Sequence, residues 1–186
     1  LDFERFEEDR DQVVDRAREA GITRILNPGI DLASSQAAIK LAEKYAEVYV
    51  AVGIHPNSAN TFDQSTLPRL REMASHPKVV AIGEIGLDYY RDRAPRVLQQ
   101  RILRLQLELA AELGLPVVIH NRQATADIFG ILKEWQAQLV FSGSVLLSIA
   151  NPALYAVYED YVSRLGKFNN DMIGLEQTAS SVGYVI

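Results

Sequence analysis

Three polar residues in this sequence each close a short apolar run. Glu84 ends Val79-Val80-Ala81-Ile82-Gly83-Glu84, His120 ends Val117-Val118-Ile119-His120, and His55 follows Val48 to Val52 through Gly53-Ile54. Such runs, rich in β-branched residues, are the pattern of strands buried in a parallel sheet. A carboxylate at the end of a buried strand is costly as packing. It is stabilised if a cation meets it; the alternatives are solvent or an arginine. Imidazole plus carboxylate suits a divalent cation that activates water, which makes Glu84 and His120 the candidate catalytic and metal-binding pair. His120 taken alone is also compatible with a satisfied core imidazole. Arg122 could clamp a phosphate or carboxylate, or be an ordinary surface arginine. His55, in the loop Gly53-Ile54-His55-Pro56-Asn57, could contact substrate or shuttle a proton. Asp88 adds a second carboxylate four residues after Glu84, in the loop expected after that strand. Tyr89 and Tyr90 either cover the core or stack on a base.

These side chains can meet only if the elements between them bring the strand ends together. Strand starts are predicted at 22, 48, 79 and 117, with helices between them. Glu7 to Ala20 is amphipathic and stops at Gly21; Asp31 caps a helix to about Ala46; another runs from Gln64 to Ser75. Pro95 opens a long helix to Leu113 with Leu98, Ile102, Leu105, Leu109 and Leu113 inward, ended by Gly114 and Pro116. Ala124 to Gln138 is a further helix. Strand and helix in alternation imply parallel strands with helical crossovers, in a closed barrel or an open doubly wound sheet. Asn27, His55, Glu84 and His120 each lie at or just past the C-terminal end of a different strand. A barrel gathers those ends on one rim; an open sheet gathers fewer. No G-x-G-x-x-G or Walker-type loop is present. The predicted fold is therefore α/β, and the strand ends favour a (β/α) barrel over an open sheet without excluding the latter. His76 precedes a strand, on the opposite rim, and receives no function.

The bulk properties narrow the function classes. With 48% hydrophobic and 23% charged residues, the 186-residue chain is ordinary for a globular protein. The absence of cysteine excludes disulfides, thiolate zinc sites and cysteine nucleophiles. A net charge of -5 argues against binding the nucleic-acid backbone by charge alone, but is compatible with an enzyme that handles phosphate locally through a metal and an arginine. The acidic start shows no signal-peptide pattern, and no apolar run approaches the roughly 20 residues of a membrane span. The expectation is a cytoplasmic protein with no membrane partner.

Together these segments resemble the TatD family of metal-dependent deoxyribonucleases. The resemblance rests on Gly53-Ile54-His55-Pro56, Gly83-Glu84-Ile85-Gly86-Leu87-Asp88-Tyr89, the helix from Gln99 to Leu109, Leu115-Pro116-Val117-Val118-Ile119-His120-Asn121-Arg122, and Phe141-Ser142-Gly143, and covers about residues 1–144. It implies a TIM-type barrel, two divalent metal ions (Mg, Mn or Zn) and hydrolysis of phosphodiester bonds, often from the 3′ end of DNA. It implies that Glu84 is a metal ligand, bridging the two ions, and that His120 is a ligand of one; His55 and Arg122 would steady phosphate oxygens. Three family features have no counterpart. The H-x-H pair of the first strand would stand just before Leu1-Asp2, Leu139 occupies the position of a later histidine, and no T-D-x-P segment is found. A barrel takes about 250 residues, so the expectation is a single metal-dependent hydrolase barrel domain over residues 1–186, incomplete, lacking the first strand and some later elements, with 144–186 not alignable. The function expected is that of a divalent-metal-dependent phosphodiester hydrolase, a 3′–5′ deoxyribonuclease, acting on DNA or another phosphodiester. The alternatives are an amidohydrolase-like metal hydrolase, for which no strand-end lysine is seen, and a non-catalytic scaffold that has lost its metal site.

Overall fold

The computed structural model describes residues 1–135. The chain divides into two units, Leu1–Leu132 and Lys133–Ile186, and the architecture below is that of the first. Four strands, β1 (Ile25–Pro28), β2 (Val48–Val52), β3 (Val79–Asp88) and β4 (Val117–Arg122), form one parallel sheet in the order β1-β2-β3-β4. Helix α1 (Arg10–Glu19) precedes β1, while α2 (Leu32–Lys44), α3 (Thr66–Ala74) and α4 (Arg96–Leu113) make the three crossovers. A further helix opens at 125. Strand order that never reverses keeps every right-handed crossover on the same face of the sheet. A doubly wound sheet reverses at its switch point, so this arrangement is the arc of a (β/α) barrel. The core lies between strands and helices: Val50, Val52 and Ile82 from the sheet meet Ala38, Leu70 and Leu107 from the helices, all fully buried. Each large aliphatic chain so buried contributes about 1.5–3 kcal/mol.

Local signals set most boundaries. Asp31 caps α2 by accepting the Ser34 N–H at 2.8 Å. Gly114, at φ +66°, closes α4 in the left-handed conformation that glycine tolerates. Two boundaries differ from expectation. β1 begins at Ile25 rather than Ile22, because the Ile22 N–H is used on the Ala17 carbonyl to finish α1 and Ile22 remains 47% exposed. β3 does not end at Glu84. It runs on to Asp88, with Gly86, Leu87 and Asp88 paired to His120, Asn121 and Arg122 of β4. Gly86 makes this possible: its φ is +148°, and a Cβ there would lie 2.0 Å from the His120 carbonyl oxygen. Asp88 is thus a strand residue. The inward face of α4 is also rotated from the predicted stripe. Gln99, Leu103, Gln106, Leu107 and Ala110 are buried beside Ile102 and Leu109, while Leu98, Leu105 and Leu113 are only part-buried. The Leu139 position, the Phe141-Ser142-Gly143 segment and residues 144–186 lie outside the described residues.

Candidate metal centre

The three residues that close the apolar runs come together. His120 stands on β4 opposite Gly86, and its Nδ1 lies 3.1 Å from Glu84 Oε1 on β3. The His55 and His120 rings meet edge to face with centroids 4.2 Å apart. One donor atom from each of His55, Glu84 and His120 lies within 4.8 Å of the other two. Close backbone approach permits this. A Cβ on Gly53 would come 2.9 Å from the Gly83 carbonyl carbon, and a Cβ on Gly83 would come 2.6 Å from Val118 Cβ. Two backbone amides then tie the site to the segment that follows β1, with His55 N–H bonded to Ile30 O at 2.9 Å and Glu84 N–H to Gly29 O at 3.0 Å.

A set of buried amides below the site holds its loops. Gln106 of α4 accepts the Ile54 N–H at 2.7 Å and donates to the Ile54 carbonyl at 3.1 Å, fixing the residue before His55. Gln99 does the same for Asp88, accepting its N–H at 2.9 Å and donating to its carbonyl at 3.2 Å. Asp88 is completely buried. Its Oδ2 accepts from the Asn57 amide at 3.1 Å and lies 3.3 Å from His120 Nε2; its Oδ1 accepts the N–H groups of Tyr90 and Arg91. Sequence reasoning noted the Asp88 carboxylate but missed Asn57, Gln99 and Gln106. The readable signal was two glutamines seven residues apart on a helix, in line with Leu103, Leu107 and Ala110.

Electrostatics assign different roles to the two histidines. Burial, reinforced by the neighbouring His120, lowers the His55 pKa to about 4, so the ring is neutral at pH 7. Its Nδ1 accepts the Asn57 N–H at 3.0 Å. A neutral ring whose Nδ1 is an acceptor carries its proton on Nε2. His55 therefore presents an N–H donor, and proximity alone does not make it a ligand. Glu84 has its pKa lowered by the hydrogen bond with His120, against the opposing effect of burial; it is ionised at neutral pH. Burial would raise Asp88, but the N–H of Arg91, the Asn57 amide, His120 and the Tyr90 N–H outweigh it and hold the carboxyl below its usual range.

The residues fit a divalent cation. Among the described residues His120 Nε2 is buried without a hydrogen-bond partner, since the Asp88 oxygen at 3.3 Å lies outside hydrogen-bonding geometry. A buried ring nitrogen left unsatisfied is unfavourable, and an imidazole beside an ionised glutamate is a donor set that Mg, Mn and Zn all accept in some proportion. Arg122 does not join the trio. Its guanidinium packs on the Tyr90 ring, 4.0 Å from the centroid. Asn27 is buried and donates to Asp2 at 3.1 Å.

Parallel βα units with an imidazole–carboxylate cluster at the strand ends are the architecture of (β/α)-barrel metal-dependent hydrolases. Residues 1–149 match the family described as TatD related DNase, and the chain belongs to that family. It is 40% identical over 140 residues to the uncharacterized metal-dependent hydrolase YabD of Bacillus subtilis, covering 75% of this chain and 55% of the relative. It is 41% identical over 141 residues to the 3′-5′ ssDNA/RNA exonuclease TatD of Cronobacter turicensis, covering 76% and 53%. The crystal structure of YJJV, a TatD homolog from Escherichia coli k12, superposes with a TM-score of 0.67 at 34% identity, over 72% of this chain and 52% of that one. The expected TIM-type fold is thereby borne out, and the chain spans about half the length of the curated relatives it matches.

Proposed function

We propose that this chain carries the centre of a divalent-metal-dependent phosphodiester hydrolase, a 3′–5′ deoxyribonuclease of TatD type. The observation that carries the reading is the pairing of ionised Glu84 with His120, whose buried Nε2 has no hydrogen-bond partner among the described residues, beside a neutral His55 that presents an N–H. Glu84 and His120 would hold the divalent metal. Bound divalent ions supply Lewis acidity toward the phosphoryl oxygens and activation of water. His55 Nε2–H donates to a non-bridging phosphate oxygen, and being neutral it does so without repelling the cations. Arg122, on the same strand as His120, offsets phosphate charge. The Asn57 N–H keeps the His55 ring in place, and Glu84 at Nδ1 orients the His120 ring.

A phosphate substrate agrees with a net charge of -5, because the positive charge needed is local. An amidohydrolase-like reading is weaker: among the described residues no strand contains a lysine. No helix among those residues is long and apolar enough to cross a membrane; the cytoplasm is the proposed setting, and one barrel domain over 1–186 belongs to the same proposal. The test is cleavage of a 5′-labelled single-stranded DNA by the full chain with Mg²⁺ or Mn²⁺. Progressive shortening from the 3′ end, abolished by EDTA and by Glu84→Gln, is expected. Metal-dependent cleavage undiminished in Glu84→Gln would overturn the reading.

A further inference from the structure

Two adjacent tyrosines follow Asp88, and they are held in opposite ways. Tyr89 is tied down. Its hydroxyl donates to Asp127 at 2.5 Å and accepts from Gln100 at 2.8 Å, and the Arg96 guanidinium lies 4.3 Å from its ring centroid. The Tyr90 hydroxyl makes no hydrogen bond among the described residues, and the residue is 59% exposed. Its backbone is nonetheless fixed, because the N–H groups of Tyr90 and Arg91 both bond Asp88 Oδ1, at 3.1 and 2.9 Å. Asp88 is itself pinned by Gln99 and Asn57. A rigid turn therefore presents a large aromatic ring to solvent beside the metal centre.

One face of that ring is occupied. The Arg122 guanidinium sits 4.0 Å from the Tyr90 centroid, a cation–π pair. Register brings it there, since Asp88 pairs with Arg122 and the Tyr89 N–H bonds the Arg122 carbonyl at 2.9 Å. Arg122 is two residues past His120, and Tyr90 is two past Asp88, whose carboxylate lies 3.3 Å from His120. The aromatic face and the guanidinium edge are thus both within a nucleotide's reach of the metal centre. A guanidinium that stacks on an aromatic ring keeps its N–H edge free for phosphate.

We propose that Tyr90 and Arg122 form a base-stacking subsite, in which the open part of the Tyr90 ring takes the base of an unpaired nucleotide while Arg122 meets that nucleotide's phosphate. Base–aromatic stacking is tolerant of base identity, so the subsite discriminates by strandedness rather than by sequence. A base in a duplex has its faces covered by its neighbours; an unpaired end offers one. This role rests on the nuclease reading and names how its substrate is held.

The test uses the full chain in EDTA, so that binding is read without turnover, with a fluorescent oligothymidylate and its fully abasic counterpart as probes. Tyr90→Ala should weaken oligothymidylate binding by about fivefold to a hundredfold, and Tyr90→Phe or Tyr90→Trp should restore it. The unaltered chain should bind the abasic strand about as weakly as Tyr90→Ala binds oligothymidylate, and Tyr90→Ala should not weaken abasic binding further. Equal binding of the two probes by the unaltered chain, an equal loss on both probes in Tyr90→Ala, or no binding at all would overturn the proposal. Failure here with Glu84-dependent cleavage intact would leave the nuclease reading standing. Base-dependent binding with no metal-dependent cleavage would overturn the nuclease reading and leave the stacking.

Discussion

One backbone hydrogen bond decides what His55 can do. Because Nδ1 accepts the Asn57 N–H, the neutral ring presents a donor at Nε2, which is the role proposed for it. In the metal-loaded protein, His55→Ala should lower kcat by on the order of 10²-fold, the usual loss on removing one donor to developing charge, while calorimetry finds Mn²⁺ affinity unchanged. A parallel fall in metal affinity would make His55 a ligand instead. Its protonation also makes stability depend on pH. The ordinary histidine value is 6.5 and the folded value about 4, so between them the unfolded chain binds more protons than the folded one. This contribution is complete above pH 6.5 and is lost as pH falls through the window toward 4. At about 1.4 kcal/mol per unit and roughly 2–4 °C per kcal/mol for a chain of this size, the Tm of the metal-free chain should drop by at least roughly 5 °C from pH 7 to 4. Thermal melts at several pH values check this, and His55→Gln should flatten that window. His55, Glu84 and His120 were legible in the sequence because a polar residue closing a short apolar run has few reasons to be there. Asn57 was not: its partner Asp88 is 31 residues away, and nothing local announces it.

At the scale of the element, α4 positions as much chemistry as the strands do. Gln106 satisfies both backbone groups of Ile54, and all of these atoms are buried. Gln106→Leu would leave a buried N–H and C=O unpaired, at about 1–3 kcal/mol for each group. We expect a loss of about 2–4 kcal/mol in urea denaturation, together with a fall in kcat as the His55 loop shifts. A kcat unchanged in the folded variant would mean that Gln106 supports the fold alone. Gly86 is more demanding, since any side chain must enter the His120 backbone. Gly86→Ala should destabilise by on the order of 4 kcal/mol, read by the same denaturation. The apolar spacing of α4 announced a helix and its length correctly, yet pointed to a stripe that includes Leu98 and Leu105. Periodicity counts apolar residues and cannot register that a glutamine is buried because a loop amide needs it. The same limit placed Asp88 beyond β3, because a strand that continues through two glycines looks finished at the first.

At the largest scale described, the unit Leu1–Leu132 is organised by direction. Parallel strands in unbroken order carry their C-terminal ends to one rim, and this was readable from alternating strand and helix patterns, since few topologies accommodate them. The assembly of Glu84, His120 and His55 then follows from topology, although no local pattern could reveal that His120 Nε2 lacks a hydrogen-bond partner among the described residues. A site organised in this way should bind a divalent cation whether or not substrate is present. The most direct measurement is therefore Mn²⁺ binding by the full chain, followed by electron paramagnetic resonance, in the unaltered protein and in Glu84→Gln and His120→Ala. A bound ion whose affinity falls about tenfold or more in each variant is the predicted result. Mn²⁺ affinity that is the same in all three proteins would contradict the assignment of Glu84 and His120 as the metal centre.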